Sequence, residues 1–387
     1  MAVKRRGPIV VFGIAFWYPL AGVTLQFLHY LIALRRLGWD PYYVEDSARW
    51  VYDPGLNDTT PDPGANIATV LPALEAHGFG NRWAFRDHHA GCVHGIGASR
   101  LAALYRDAAA LLNVTGAQEL RDEHRTCPRR IYVETDPVKG QIQVAQGDAG
   151  MLAMYTAHDT VFSFGENLGR PDCGVPVEGL TWRPTRQPIV LDLWPPEPGE
   201  GAAYSTIATW RNRNDVVFEG ETYSWSKDVE FAKVLDLPLR RRRPFELATS
   251  VDADTAARLS AHGWGLTDAL TVSRDVERYR AYIRGSRAEF TVAKDQNVRL
   301  RSGWFSDRSA CYLAAGRPVI TQDTGFGNVL PTGKGLFAFR DLDGALAAVD
   351  AIESDYEGHR RAAREIAAEY FDAERVVASL LARAGLD

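Results

Sequence analysis

Arg301-Ser302-Gly303-Trp304-Phe305-Ser306-Asp307-Arg308-Ser309-Ala310-Cys311-Tyr312-Leu313-Ala314-Ala315-Gly316 opens on small and polar residues, then turns strongly helical before a glycine that can end the helix. Pro318 to Thr321 supplies a strand, and Asp323-Thr324-Gly325-Phe326-Gly327 makes the next tight loop. Two ligand-facing loops are thereby expected beside one sheet. A nucleotide diphosphate needs closely approaching amide donors, and a helix N-terminus offers several that the helix cannot satisfy itself. Ser302, Gly303 and Ser306 leave room for that approach, and the two hydroxyls add donors. Ordinary turn and cap chemistry, with Ser306 as a plain N-cap, is the competing reading of the same loop.

Working outward, the chain alternates strands and helices on both sides of this stretch. Ile9 to Gly13 is a short apolar strand, Thr24 to Leu37 has helical spacing with Gly38 as terminator, and Pro41 to Glu45 resumes as a strand. Arg49 to Asn66 reads as a long loop, Ile67 to His77 and Ser99 to Leu111 as helices, and Arg130 to Val133 and Thr160 to Phe164 as strands. The stretch from Gly169 to Gly201 carries Pro171, Pro176, Pro184, Pro188, Pro195, Pro196 and Pro198, which disfavour continuous helix or central strand and mark a hinge. Beyond it, Ala203 to Trp210, Phe245 to Ala248 and Ala288 to Val292 read as strands, and Ser226 to Leu235 and Val276 to Ser286 as helices. Such strand, helix, strand succession predicts parallel sheets with ligands outside the strand carboxyl ends.

Gly303-Trp304-Phe305-Ser306, followed by Leu313-Ala314-Ala315-Gly316-Arg317-Pro318-Val319, resembles the nucleotide-binding signature of GT-B glycosyltransferases, in which an acidic residue, a Pro-Phe-Gly turn, a helix and an Ala-Gly-x-Pro-Val turn succeed one another. Phe16-Trp17-Tyr18-Pro19-Leu20-Ala21-Gly22-Val23 resembles the first-strand glycine loop of the acceptor domain, and Phe371 to Leu381 a terminal helix returning toward that domain. The resemblance implies an α/β GT-B fold of two Rossmann-like domains with parallel sheets and an interdomain cleft. It implies an acceptor-binding domain over residues 1–185, a nucleotide-sugar-binding domain over 186–370, and the terminal helix over 371–387. The acidic positions of retaining members fall here on Gly303 and Cys311, so an inverting outcome is expected, with Asp323 recovering a hydroxyl contact from the next loop.

Candidate residues follow from placement. For the donor these are Lys227, Ser302, Gly303, Trp304, Phe305, Ser306, Arg308, Asp323, Thr324, Gly325 and Phe326, with the two cations balancing phosphate charge and the aromatic faces shaping a pocket. For the acceptor they are Gly22, Glu166 and Asn167. Glycosyl transfer with inversion needs a base near the acceptor hydroxyl. Asp136, at the exit of a predicted strand beside Glu134 and Thr135, is the first choice; His158 oriented by Asp159 competes, and His29, inside a helix, has a weaker claim. Asp136 also reads as a turn or cap residue before Pro137, and His158 as a structural histidine.

The 387-residue length supports two domains. A net charge of −5 supplies no overall positive field for nucleic acid, and the Arg240 to Arg243 run reads as a solvated turn or an anion contact. No run of about eighteen apolar residues crosses a bilayer, and the basic Met1 to Gly7 start leads into a buried strand rather than a trusted signal peptide. Four scattered cysteines without a C-x-x-C pattern suit the cytoplasm, and neither they nor Asp46, Asp53, Asp58 and Asp62 make a metal signature. The expectation is therefore metal: none, no cofactor beyond the nucleotide-sugar donor substrate, a small-molecule or carbohydrate acceptor, no nucleic acid partner and no membrane span. A nucleotide-sugar epimerase and a noncatalytic nucleotide- or glycan-binding module are the rival readings.

Overall fold

The computed structural model describes residues 6–212 and 214–386, so most of the basic start noted above lies outside the described residues. Two sheets dominate. The first runs Arg183–Pro184, Thr160–Ser163, Arg130–Glu134, Ala110–Val114, Pro8–Phe12, Asp40–Glu45, Trp83–Asp87 and Cys92–Gly95 in spatial order, and only the last strand is antiparallel to its neighbour. Ile9 to Phe12 and Ala110 to Val114 are wholly buried because helices cover both faces, as parallel sheets require.

Ala110–Val114 departs from the expected helix Ser99 to Leu111. That helix ends at Asp107, and Ala-Leu-Leu-Asn-Val then pairs with Ile9 to Phe12 at the sheet centre. A strand buried on both faces has no period to separate it from a buried helix. The expected loop Arg49 to Asn66 holds a hairpin, Val51–Asp53 against Asp58–Thr60, and the start of helix Gly64–Ala76.

The second sheet is fully parallel, in the order Trp264–Thr267, Phe245–Ala248, Tyr204–Ile207, Ala288–Thr291, Val319–Gln322, Leu336–Phe339. In chain order this is third, second, first, fourth, fifth, sixth. The order reverses between Tyr204–Ile207 and Ala288–Thr291, so a crevice opens outside their carboxyl ends. The architecture is two Rossmann-like α/β domains in the GT-B arrangement.

The chain passes between the sheets twice, and the crossings touch: Ile189 donates to the Phe371 carbonyl at 2.7 Å and Ala373 to that of Ile189 at 3.0 Å. Helix Ala373–Arg383 then packs its buried face, Ala373, Val377, Leu380 and Leu381, into the core beneath helix Ala21–Arg36 of the first domain. The arginine run is a surface turn whose Arg241 pairs with Asp350 at 2.6 Å and Arg243 with Glu353 at 2.7 Å, leaving those two no free charge for an anion. No helix among the described residues is long and apolar enough to cross a membrane.

Candidate functional site

The reversal point of the second sheet is braced from within. Arg308, in the first turn of helix Asp307–Ala314, donates to Glu289 Oε1 at 2.5 Å, to the Ile207 carbonyl at 2.5 Å and to Thr291 Oγ1 at 3.1 Å. It thus ties together the carboxyl ends of both strands flanking the crevice. Glu289 is fully buried, so in this structure the guanidinium serves a buried carboxylate.

Lys227 differs. Its side chain is buried beside the same crevice, yet its ammonium has no hydrogen bond or ion pair among the described residues. Burial drives its pKa well below the ordinary lysine value and Arg308 adds repulsion, while Glu289 and Asp136 pull the other way. Nearby, Lys294 forms an ion pair with Asp136 across the two domains and lies 3.9 Å from the ring centre of Trp225.

Asp136 leaves the carboxyl end of strand Arg130–Glu134. Its amide donates to Glu134 Oε1 at 3.1 Å, and its Oδ1 is buried with no partner. Glu134 is raised to about 7 by burial and accepts from the Tyr132 and Tyr155 hydroxyls at 3.3 and 3.2 Å. Two residues on, buried Val138 takes φ +103°, a conformation that a β-branched residue adopts only under compulsion. The strand exit carrying Asp136 is therefore a strained turn.

The loops 302–306 and 323–326 do come together, Gly303 donating to the Thr324 carbonyl at 2.8 Å and Thr324 Oγ1 to that of Trp304 at 2.6 Å. What they hold is largely the other domain. Asn167 donates its amide hydrogen to the Ser302 carbonyl at 3.1 Å and its side chain to the Arg301 and Gly325 carbonyls at 3.1 and 2.9 Å. A Cβ at Gly303 or Gly325 would sit 2.8 or 2.5 Å from Asn167, and both glycines have positive φ, so this stitch explains both. Asn167, expected on the acceptor, is thus consumed in domain docking.

Several other expected donor groups have partners within the protein. Ser302 is fully buried with its hydroxyl on Asn297 Oδ1 at 2.7 Å. Phe305 packs between Phe326 and Phe371, at 5.3 and 5.5 Å between ring centres, as core. Asp323 accepts from Gly325 at 2.8 Å and pairs with Arg340 at 2.9 Å. Trp304 stays half-buried, its indole donating to the Thr135 carbonyl at 2.9 Å, and the Ser306 hydroxyl caps nothing. In the first domain, Glu166 pairs with Arg186 at 2.7 Å, and a Cβ on Gly22 would meet the Tyr279 hydroxyl at 3.2 Å, so Gly22 is a domain contact.

The His158 and Asp159 pair does not converge. Asp159 accepts from the Arg130 amide at 2.8 Å and pairs with its guanidinium at 2.6 Å, at the amino ends of their strands, opposite the exit that carries Asp136. Buried His158 is pushed down to about 4 by burial, with Nδ1 toward the Met154 carbonyl at 2.9 Å and Nε2 toward Asn113 Nδ2 at 3.1 Å. His29 is likewise neutral, held at about 3 by burial, and accepts the Val190 amide at 3.1 Å.

Two features escaped the sequence reading. Asp307 begins the helix, its carboxyl raised to about 7 by burial with Asp136 adding repulsion, and it has no side-chain partner. It lies one turn before Cys311 on the same helix face, which is the signal that marks it. The second is a histidine and carboxylate pair at the carboxyl ends of first-sheet strands, where His88 Nε2 meets Asp46 Oδ1 at 2.8 Å. Burial works against Asp46, but hydrogen bonds from His124 and Tyr105 and the charge of Arg121 hold it near 2. His88 stays 31% exposed with Nδ1 available.

No family model matches this chain, and no curated protein matches it in sequence. Solved structures do. An alpha-glucosyltransferase bound to UDP and a 13-mer DNA with an HMU base superposes with TM-score 0.60 at 10% identity, covering 99% of this chain and 100% of that one. HepE of Anabaena with UDP and glucose gives TM-score 0.58 at 9% identity over 97% and 100%, and sucrose-phosphate synthase of Thermosynechococcus elongatus 0.52 at 12% over 98% and 98%. At these identities the likeness establishes the GT-B fold shared with these glycosyltransferases.

Proposed function

We propose that this chain is a glycosyltransferase that moves a sugar from a nucleotide-sugar donor to a hydroxyl of a small molecule or carbohydrate, with inversion and without a metal at the donor. The observation that carries the reading is the largely buried Lys227 side chain beside the crevice of the second sheet, whose ammonium has no ion-pair partner among the described residues, across from the strand exit bearing Asp136. A diphosphate arriving there restores the lysine's charge and gains a charge-assisted hydrogen bond that no side chain provides. The amides at the start of helix Asp307–Ala314 and the uncommitted Ser306 hydroxyl add donors. Without carboxylates at Gly303 and Cys311, the pair of acids typical of retaining members is missing, which supports inversion.

Two groups present a lone pair for the acceptor proton: Asp136 through its partnerless Oδ1, and His88 through Nδ1 with Asp46 behind it. Asp136 is the preferred base because it faces the second domain through Lys294. The test is a mass-spectrometric product screen with activated sugars, starting from UDP-glucose because similar folds were solved with UDP. A product heavier than the acceptor by one sugar is expected. Donor isomerisation would instead indicate an epimerase, and binding without turnover a noncatalytic module. With an acceptor in hand, Asp136→Asn should lower kcat on the order of 10²-fold with donor affinity retained, whereas a loss confined to His88→Gln transfers the role to the histidine.

A further inference from the structure

The edge of the first sheet ends in a hairpin, Trp83–Asp87 against Cys92–Gly95, whose sequence Asp87-His88-His89-Ala90-Gly91-Cys92-Val93-His94 is rich in metal-binding side chains. Asp87 stands directly opposite Cys92 in the antiparallel register, and His94 lies two residues further along the same strand. A period of two puts all three side chains on one face of the hairpin. Their ligand atoms lie within 4.8 Å of one another, with Cys92 Sγ 3.6 Å from His94 Nε2 and Asp87 Oδ2 3.9 Å from the same nitrogen.

These separations are close to what a tetrahedral metal demands. Zinc bonds to sulfur, nitrogen and oxygen place S···N at about 3.6 Å and N···O at about 3.4 Å around one ion. The carboxylate is also aimed: Asp87 Oδ1 accepts the His89 and Ala90 amides, both at 2.9 Å, which fixes the turn and leaves Oδ2 toward the imidazole. We propose that Asp87, Cys92 and His94 form a transition-metal site of the zinc type, with water as the fourth ligand. A thiolate, an imidazole and a single carboxylate select zinc or cobalt over magnesium or calcium. The only comparable cluster among the described residues, Asp46, Glu123 and His124, is already filled by protein donors, since the Arg121 guanidinium sits 2.6 Å and the Tyr105 hydroxyl 2.8 Å from Asp46.

The site clips the sheet edge and is independent of the transfer reading. Cobalt(II) titration of the full chain tests it. One equivalent should produce a thiolate-to-cobalt charge-transfer band that zinc abolishes, weakening on acidification because the ligands must lose protons. Cys92→Ser should remove the band, His94→Ala should weaken binding at least about tenfold, and Cys173→Ser should change neither. Because Cys92 is exposed and His94 partly exposed, these variants should retain the fold, which circular dichroism checks. No band in excess cobalt, or an unchanged band in Cys92→Ser, overturns the proposal.

Discussion

Two regions along the carboxyl ends of the sheets treat charge in opposite ways. In the first domain Asp46 is a closed hub, its buried carboxylate surrounded by Arg121, His88, Tyr105, Arg86 and His124. At the crevice, Lys227 and Asp307 of the second domain and one oxygen of Asp136, reaching in from the first, have no side-chain partner, although burial penalises the charged forms of the lysine and of Asp307. A saturated network rigidifies a fold, whereas buried polar groups without partners cost free energy and persist where a ligand supplies the missing contacts. The contrast separates architecture from recognition better than charge alone does, since both regions are rich in ionisable side chains.

The comparison breaks first at the hub. Asp46→Ala should destabilise the protein by about 3 kcal/mol, because it removes the buried carboxylate shared by the part-exposed Arg121 and Arg86 and leaves the buried Tyr105 hydroxyl without its acceptor; a denaturant midpoint shifted by much less would mean the hub is not closed. Lys227→Met should do the reverse, leaving stability unchanged or raised while weakening donor binding by about 1.5–3 kcal/mol, the worth of a hydrogen bond to a charged group, measured by calorimetry. Equal donor affinity in that variant would remove the lysine from the site.

A subtler contrast is in pH. Asp307 in the folded protein has its carboxyl raised to about 7, above the usual carboxylate value of about 4. The folded state therefore binds a proton more tightly than the unfolded one, so this contribution to stability is complete below about pH 4 and is lost as pH rises through 7. Asp307→Asn should flatten that part of the stability profile, and parallel wild-type and variant profiles between those limits would refute the assignment. Glu134 and Glu45, raised to about 7 and 8 by burial, contribute equally to both proteins and cancel in the difference.

The donor segment shows how far sequence reading reached. The succession of turn, helix, glycine and strand from Ser302 to Thr321 was legible because caps and helical spacing are local properties, and so was the two-domain α/β class. Which side of each residue faces the cleft was not. Ser302 and Ser306 are equivalent in a sequence, yet one hydroxyl is buried on Asn297 and the other is uncommitted. Phe305 and Phe326 read equally well as pocket faces, but the terminal segment arrives through Phe371 and makes them core.

Pairings between distant residues were beyond reach for the same reason. Nothing within a few positions of Asn167 indicates that it stitches Arg301 and Gly325 to the first domain, or that Asp136 meets Lys294. Asp87, Cys92 and His94 are near in sequence, but only the hairpin register faces them together. Local backbone preference and hydrophobic pattern, which act over one or two turns of chain, determined the elements and the fold class. The partners of each charge were decided by how the sheets and loops pack, because a buried polar group takes its role from whatever the tertiary structure brings within about 3 Å.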